Sequence, residues 1–370
     1  MNLNIGLIGA GNIGLTHLLS LKNIIEKNLL SNYKIKLNIR GVADINEDSL
    51  NSIKKKNPYN IDYFTINPEE LIKDKLIDIM YITTPTRFHK DYFIKAAESG
   101  KNIFCEKPLA FSLEDIKEMV SVEKKQNIFA QVGLVLRHCP TMWKLKQILL
   151  ENKESLGERL SFISRSTQRW PVEWRNFRSD WRKDPTLAHA GCLFEHSIHD
   201  VDILDYFFGD NFKLLNLFAK VRFVAPLSQN QIEDVANLNF EYEDGFTGNL
   251  TSIWNKTKMD ARLIEIFFEN GYLLLGGFSD IYFRKFEYLI ERKRTKLNAG
   301  DIIQEYQKAH NLPLVYPNTG HFMFEDLNFL KSIIEEKKPY PGLEIGYRAH
   351  EIIEMAYQSS KESKIISLNS

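Results

Sequence analysis

Cysteine is scarce in this chain. Cys105, Cys139 and Cys192 are the only three in 370 residues, so a disulfide scaffold is excluded and one thiol must stay unpaired within the chain. A reducing, cytoplasmic setting is expected. A surplus of either charge is also missing. Lysine plus arginine total 48 and aspartate plus glutamate 48, which removes the usual electrostatic case for nucleic acid as a partner. Long apolar runs are absent too. The nearest, LIEIFFENGYLLLGGF at 263–278, is broken by Glu265, Glu269 and Asn270, so no membrane partner is expected. The opening MNLNIGLIGAGNIG lacks a basic n-region and meets glycines too early for a secretory signal. There is no internal repeat and no low-complexity tract. Zero net charge favours self-association.

What is present is a chain long and apolar enough, at 44% hydrophobic residues, for two to three domains. Residues 3–8 (LNIGLI), 39–46, 77–85, 102–108 and 128–136 read as strands, alternating with helical stretches at 15–30, 90–100 and 111–126. Ser112 is placed to cap the last of these, with Asp115 three residues on. Such alternation means βαβ units and a largely parallel sheet. The rhythm changes near Arg137. After a helix at 140–150 come strand-like stretches at 159–167, 213–224, 235–244, 246–255, 262–270 and 281–291, with turn signals at 243–245 and 270–271. The expected fold is α/β: a parallel-sheet domain over 1–136, then an α/β domain over 137–370 with a large, mainly antiparallel sheet. A helix at about 343–358 packs back on the first domain.

Three constellations carry chemistry. Gly9-Ala10-Gly11-Asn12-Ile13-Gly14 follows a strand and opens a helix. Gly9 would make the tight turn, Gly11 would admit a pyrophosphate to the backbone, and Gly14 would let helix and strand pack closely. Asp44 ends the second strand, where a carboxylate accepts from an adenosine ribose and repels a 2′-phosphate. With Ile45 and Asn46 following, no cation reverses that preference, so NAD is expected over NADP. The second constellation is Glu106-Lys107-Pro108 at the end of a strand. A lysine there can hold a substrate oxygen and stabilise its developing charge. Thr84, Pro85 and His89 close the preceding strand and would floor a nicotinamide pocket.

The third is the polar run from His189 to Asp202. If it is helical, Glu195 and His199 share one face, His196 and Asp200 form a second, rotated pair, and His199 can act as a base. Cys192, His196 and His199 also stand at metal-ligand spacing, which leaves a metal-dependent hydrolase open. Five arginines at 165, 169, 175, 178 and 182 make an anionic substituent on a substrate conceivable.

Together, GAGNIG at 9–14, Asp44, TTPTRFH at 83–89, EKP at 106–108, GCLFEHSIHDVDILDYFFG at 191–209 and the tail at 339–359 resemble the Gfo/Idh/MocA oxidoreductase family. The resemblance implies a Rossmann domain plus an open-sheet domain through which members pair, hence a homodimer or homotetramer. It implies that Lys107 contacts substrate and nicotinamide, that His199 is the base, and that Glu195 contacts substrate where the family commonly has aspartate. Ser197 stands where the family often has glycine. Asp202 would anchor the helix, and Trp181-Arg182 would lie near cofactor or substrate. The implied activity is hydride transfer between NAD and a secondary alcohol or ketone of a sugar, sugar derivative or cyclitol. Cofactor-assisted glycoside cleavage or elimination without net redox, and a non-catalytic NAD-binding sensor or scaffold, remain alternatives.

Overall fold

The computed structural model describes residues 2–55, 57–170, 180–209, 213–224, 232–255, 260–277, 285–314 and 320–368. The chain divides into two units. The first takes in Met1–Val135, Thr186–Ala188 and Tyr316–Arg348; the second takes in Leu136–Pro185, His189–Val315 and Ala349–Ser370.

The strands of the first unit are β1 (Asn2–Ile8), β2 (Lys36–Ala43), β3 (Tyr63–Thr65), β4 (Ile79–Ile82), β5 (Asn102–Cys105) and β6 (Ala130–Val132). They form one sheet in the order β3-β2-β1-β4-β5-β6, and every pairing is parallel. The central strands are short apolar runs buried on both faces, as β4 (IMYI) shows. Between them run α1 (Asn12–Glu26), α2 (Glu47–Lys54), α3 (Pro68–Lys73), α4 (His89–Glu98) and α5 (Leu113–Gln126). Ser112 caps α5 as expected, its hydroxyl accepting from the Asp115 N–H at 3.2 Å. The strand order reverses between β1 and β4, so the crevice at their carboxyl ends is where a ligand of such a sheet binds.

The second unit holds α6 (Pro140–Glu151), α7 (Lys153–Leu156), α8 (Pro185–Ala188, all but its first residue counted with the first unit), α9 (Ile198–Phe208) and α10 (Ala299–Ala309). Its strands are β7 (Arg159–Arg169), β8 (Leu214–Arg222), β9 (Val235–Tyr242), β10 (Thr247–Asn255), β11 (Ala261–Phe268), β12 (Gly271–Gly277), β13 (Lys285–Ile290), β14 (Lys293–Lys296) and β15 (Ile366–Ser367). They form a nine-stranded sheet in the order β14-β13-β12-β11-β7-β10-β9-β8-β15. It is antiparallel apart from the β7–β10 pair. One face alternates inward, and Phe162, Leu238, Leu250 and Ile264 carry it into a large apolar core.

Two helices complete the chain: α11 (Phe322–Ile334) and α12 (Leu343–Glu362). A single cut near 137 does not describe them. α11 lies wholly in the first unit, because Phe329 packs edge-on against Tyr81 and Phe104 of the parallel sheet. The first turn of α12 adds Leu343 to the apolar cluster around Met80, Ile82, Ile103 and Cys105 of the same sheet, and the helix from Ala349 onward is counted with the second unit. Among the described residues no helix is long and apolar enough to cross a membrane.

Candidate active site

The residues singled out in the first unit all follow strand ends at the reversal of the sheet. Gly9 comes directly after β1 and has φ +104°, a conformation that favours glycine. A Cβ there would meet the Thr83 backbone at 2.7 Å. The Thr83 hydroxyl lies 2.7 Å from the Gly9 carbonyl and 3.1 Å from that of Ile8, so it pins the turn to β4. At Gly14 a Cβ would lie 2.0 Å from the Gly9 oxygen. Gly11 is different. Its φ of −72° suits any residue, and a Cβ would find no atom within 4 Å. Among the described residues nothing demands a glycine at that position. It precedes α1, whose start has no side-chain cap, and the first turn of a helix directs backbone N–H groups outward, the arrangement that receives an anion.

Asp44 sits beside this turn. One carboxylate oxygen accepts the Ala10 N–H at 2.7 Å and the other the Asn46 N–H at 2.8 Å. Lone pairs remain on both for ribose hydroxyls. The bare backbone at Gly11, the uncapped helix and this carboxylate fit a dinucleotide.

Thr84 and Pro85 follow β4 and are half-buried. His89 does not floor an open pocket. Its ring is 1% exposed, with Nδ1 2.7 Å from the Pro108 carbonyl and Nε2 2.8 Å from that of Thr84. A neutral ring donates to one of these, and burial pushes its pKa below the usual histidine value. It braces the β4 and β5 exits against each other. Glu106 also turns inward, toward His17 and the Lys107 N–H. Lys107 itself is half-buried at the end of β5.

In the second unit Cys192–His196 forms a π-helical turn rather than regular α-helix, the Ser197 N–H reaching the Cys192 carbonyl at 2.9 Å. The four-residue spacing of Glu195 and His199 therefore spans two helix types. Such wide turns are common at functional sites. Glu195 is 2% exposed, and Arg182 Nε donates to it at 3.2 Å while its guanidinium stacks on Trp181 at 4.3 Å. His199 follows in the first turn of α9.

Buried anchors hold this segment. The Glu233 carboxylate accepts the N–H groups of Gly191 and Leu193 at 2.7 and 2.9 Å and the Tyr357 hydroxyl at 2.9 Å. A side chain on Gly191 would collide with the Glu233 carbonyl at 1.8 Å. Arg137 grips Asp202, its Nε 3.0 Å from both oxygens. Ser197, in place of the smaller glycine, donates to the Ser252 hydroxyl at 2.7 Å.

His196 and Asp200 are not a pair with each other. Both meet Arg262, which bonds Asp200 at 2.7 Å and His196 Nε2 at 3.1 Å. A guanidinium only donates, so Nε2 accepts. That corrects the metal reading. The His196 nitrogen is engaged, and the Cys192 thiol points to the Ser252 carbonyl at 3.7 Å with its pKa pushed up by burial. Among the described residues no group of three or more His, Cys, Asp or Glu is placed to hold a metal ion. Arg175 and Arg178, of the expected cationic region, lie outside the described residues.

Sequence reasoning passed over His17, Asp326, Gly133, Arg137, Glu233 and Arg262. A histidine three residues past a GxGxxG was a usable signal for the first. The others are reached only through contacts between distant segments.

Comparison with known proteins agrees with this layout. Residues 3–134 match the model of the Gfo/Idh/MocA oxidoreductase family's NAD-binding Rossmann fold, and 143–274 match the same family's C-terminal domain. The scyllo-inositol 2-dehydrogenase (NAD(+)) of Bacillus subtilis is 30% identical over 193 residues, 51% of this chain and 52% of the relative. Levoglucosan dehydrogenase of Pseudarthrobacter phenanthrenivorans is 30% identical over 210 residues, 56% of this chain and 52% of the relative. The matched stretch thus spans about half the length of these curated relatives. A solved levoglucosan dehydrogenase in complex with NADH superposes with a TM-score of 0.84 at 21% identity, covering 100% of both chains.

Proposed function

The chain belongs to the Gfo/Idh/MocA oxidoreductase family, and on that premise we propose that it is an NAD-dependent dehydrogenase or reductase. Its substrate is a secondary alcohol or ketone of a sugar, sugar derivative or cyclitol. The observation that carries the reading is Gly11: a glycine with ordinary φ, open space around it and an uncapped helix beginning beside it. Relatives named for inositol and levoglucosan support the substrate class.

In this reading Gly11, Asn12 and Ile13 receive the pyrophosphate. Asp44 binds the adenosine ribose, and its charge disfavours a 2′-phosphate, so NAD is preferred over NADP. Thr84, Pro85 and Lys107 face the nicotinamide half, beyond β4 and β5. When bound, the nicotinamide supplies the two-electron exchange with the substrate carbon. The Lys107 ammonium holds the reacting oxygen and offsets its developing negative charge. His199 takes the hydroxyl proton on oxidation and returns it on reduction. Glu195 binds a neighbouring hydroxyl, with Arg182 and Trp181 beside it steadying the carboxylate. The protein acts as a homodimer or homotetramer, supported by Ile163, Leu215 and Phe218, which are 38–39% exposed on the outer face of the large sheet. All three cysteines are buried free thiols, which supports a reducing, cytoplasmic setting.

The test is turnover of NAD with myo-inositol, scyllo-inositol, levoglucosan and related polyols, followed by absorbance of reduced nicotinamide. Lys107→Met and His199→Ala are each expected to lower kcat by about 10²–10⁴-fold while NADH affinity stays close to that of the wild type. Unchanged turnover in both variants, or product formed with no net NADH, would overturn the reading.

A further inference from the structure

The proposed chemistry leaves the buried ionisable cluster around His17 unused. His17, on the second turn of α1, is 0% exposed, and a carboxylate faces each ring nitrogen: Asp326 Oδ1 lies 2.9 Å from Nδ1 and Glu106 Oε1 3.1 Å from Nε2. An ionised carboxylate only accepts, so an imidazole between two of them carries both protons. Its pKa is raised well above the ordinary value; burial opposes the charge, and Asp326 and then Glu106 outweigh it.

Glu106 is held on two further sides. Its second oxygen accepts the Lys107 N–H at 3.0 Å. A Cβ on Gly133 would lie 2.8 Å from its carboxyl carbon and 2.9 Å from each oxygen, so the carboxylate rests flat on a bare Cα. Gly133 is itself fixed by donating to the Cys105 carbonyl at 2.8 Å. The last ladder bond at this strand end is Glu106 N–H to the Ile82 carbonyl, at 3.0 Å. At Lys107 the carboxylate of the preceding residue takes over as backbone acceptor. Beside the cluster, Glu325 is fully buried with no hydrogen-bond partner on either oxygen among the described residues, and burial, then Glu106 and Asp326, push its pKa well above the usual carboxylate value.

We propose that His17, Asp326 and Gly133 are positioning residues for Lys107: through the Glu106 carboxylate they fix the backbone from which the lysine ammonium reaches the substrate oxygen. The inference deepens the reading of Lys107 given above and rests on it. The relay runs from α11 through α1 to the end of β5. It thereby couples the helix that opens at the dinucleotide turn to the point where the reacting oxygen is held. A lysine side chain has four rotatable bonds, so a displaced backbone spreads its ammonium over many positions and weakens a contact that must be tight in the transition state.

Gly133→Ala in the full-length protein is the sharpest test, because it removes no charge and no hydrogen-bonding group. The added methyl meets the end of a flexible side chain, so the carboxylate gives way rather than the strand. The variant is expected to bind NADH within about twofold of the wild type by calorimetry and to lose about 10–100-fold in kcat on the best polyol of the panel. Amide hydrogen exchange at Lys107, followed by mass spectrometry, is expected to quicken by about tenfold. His17→Gln should show the same pattern. Glu106→Gln keeps an oxygen for the Lys107 N–H and should restore slow exchange that Glu106→Ala loses.

Unchanged exchange at Lys107 in both Gly133→Ala and Glu106→Ala would overturn the relay. So would exchange that rises evenly across the whole first unit, which would mark a role in folding alone. If the wild type turns over no polyol, the functional reading fails while the exchange measurements still decide the relay.

Discussion

Alanine at Gly11 and alanine at Gly14 should fail in opposite ways. Gly11 has φ −72° and ψ −168°, an extended conformation open to alanine, and its Cβ would have no neighbour within 4 Å. Loss of unfolded-chain entropy stabilises such a substitution by about 0.4–1 kcal/mol, and the poorer helix cap gives back about as much. The unliganded Gly11→Ala protein should therefore melt within a degree or two of the wild type. In the proposed complex, however, the methyl occupies open space beside Gly11 that the pyrophosphate needs. A charge-assisted hydrogen bond is worth about 1.5–3 kcal/mol, so blocking one or two should weaken NADH binding by at least about tenfold.

Gly14→Ala puts its Cβ 2.0 Å from a backbone oxygen. Overpacking of that kind costs about 1–3 kcal/mol or more, and the apo melting temperature should drop. Thermal unfolding without ligand and titration calorimetry with NADH separate the two effects. Wild-type NADH affinity in Gly11→Ala, or equal destabilisation by both substitutions, would refute the argument that Gly11 is bare because of a ligand.

Three further expectations follow from individual contacts. Arg262→Leu leaves Asp200 buried without its cation and should destabilise the second unit by about 3–5 kcal/mol in urea unfolding; a loss below about 1 kcal/mol would show the network to be dispensable. Glu123 is pushed up from 4.5 to about 7, chiefly by burial and then by Glu344. The folded state therefore holds its proton more tightly than the unfolded state. This contribution is fully present below pH 4.5 and is lost as pH rises to about 7, a difference of at most about 3 kcal/mol. Glu123→Gln should flatten stability over that window and raise the melting temperature above it; an unchanged pH slope would contradict this. Asp44→Ala should weaken NAD binding and relax discrimination against NADP, and an unaltered ratio of the two affinities would remove Asp44 from the ribose site.

Much of this was legible along the chain because the forces involved act locally. Apolar runs of strand length between helical stretches specify a parallel sheet, and the glycine turn declares itself through steric needs within six residues. The Ser112 cap reads from three. The π turn at 192–196 was not legible, since a helix-like pattern does not reveal one extra residue per turn. Nor was the partner of His196: spacing brought it toward Asp200, while Arg262, 66 residues on, bonds both.

By itself the sequence determined the α/β class with one parallel and one mainly antiparallel sheet, the glycine turn after the first strand and the acid at the end of the second, and the residue types from which the proposed site is drawn. Tertiary structure decided what each of those residues faces. His89 became a brace between two strand exits, Cys192 and His196 were drawn into buried contacts, and Glu106 turned inward to a histidine whose other partner lies 309 residues from it. Helices and turns follow from interactions a few residues apart, and their signals are written in order along the chain. A buried charge is settled only by the partner that compensates it, and that partner is supplied by whichever distant segment the packed core brings alongside.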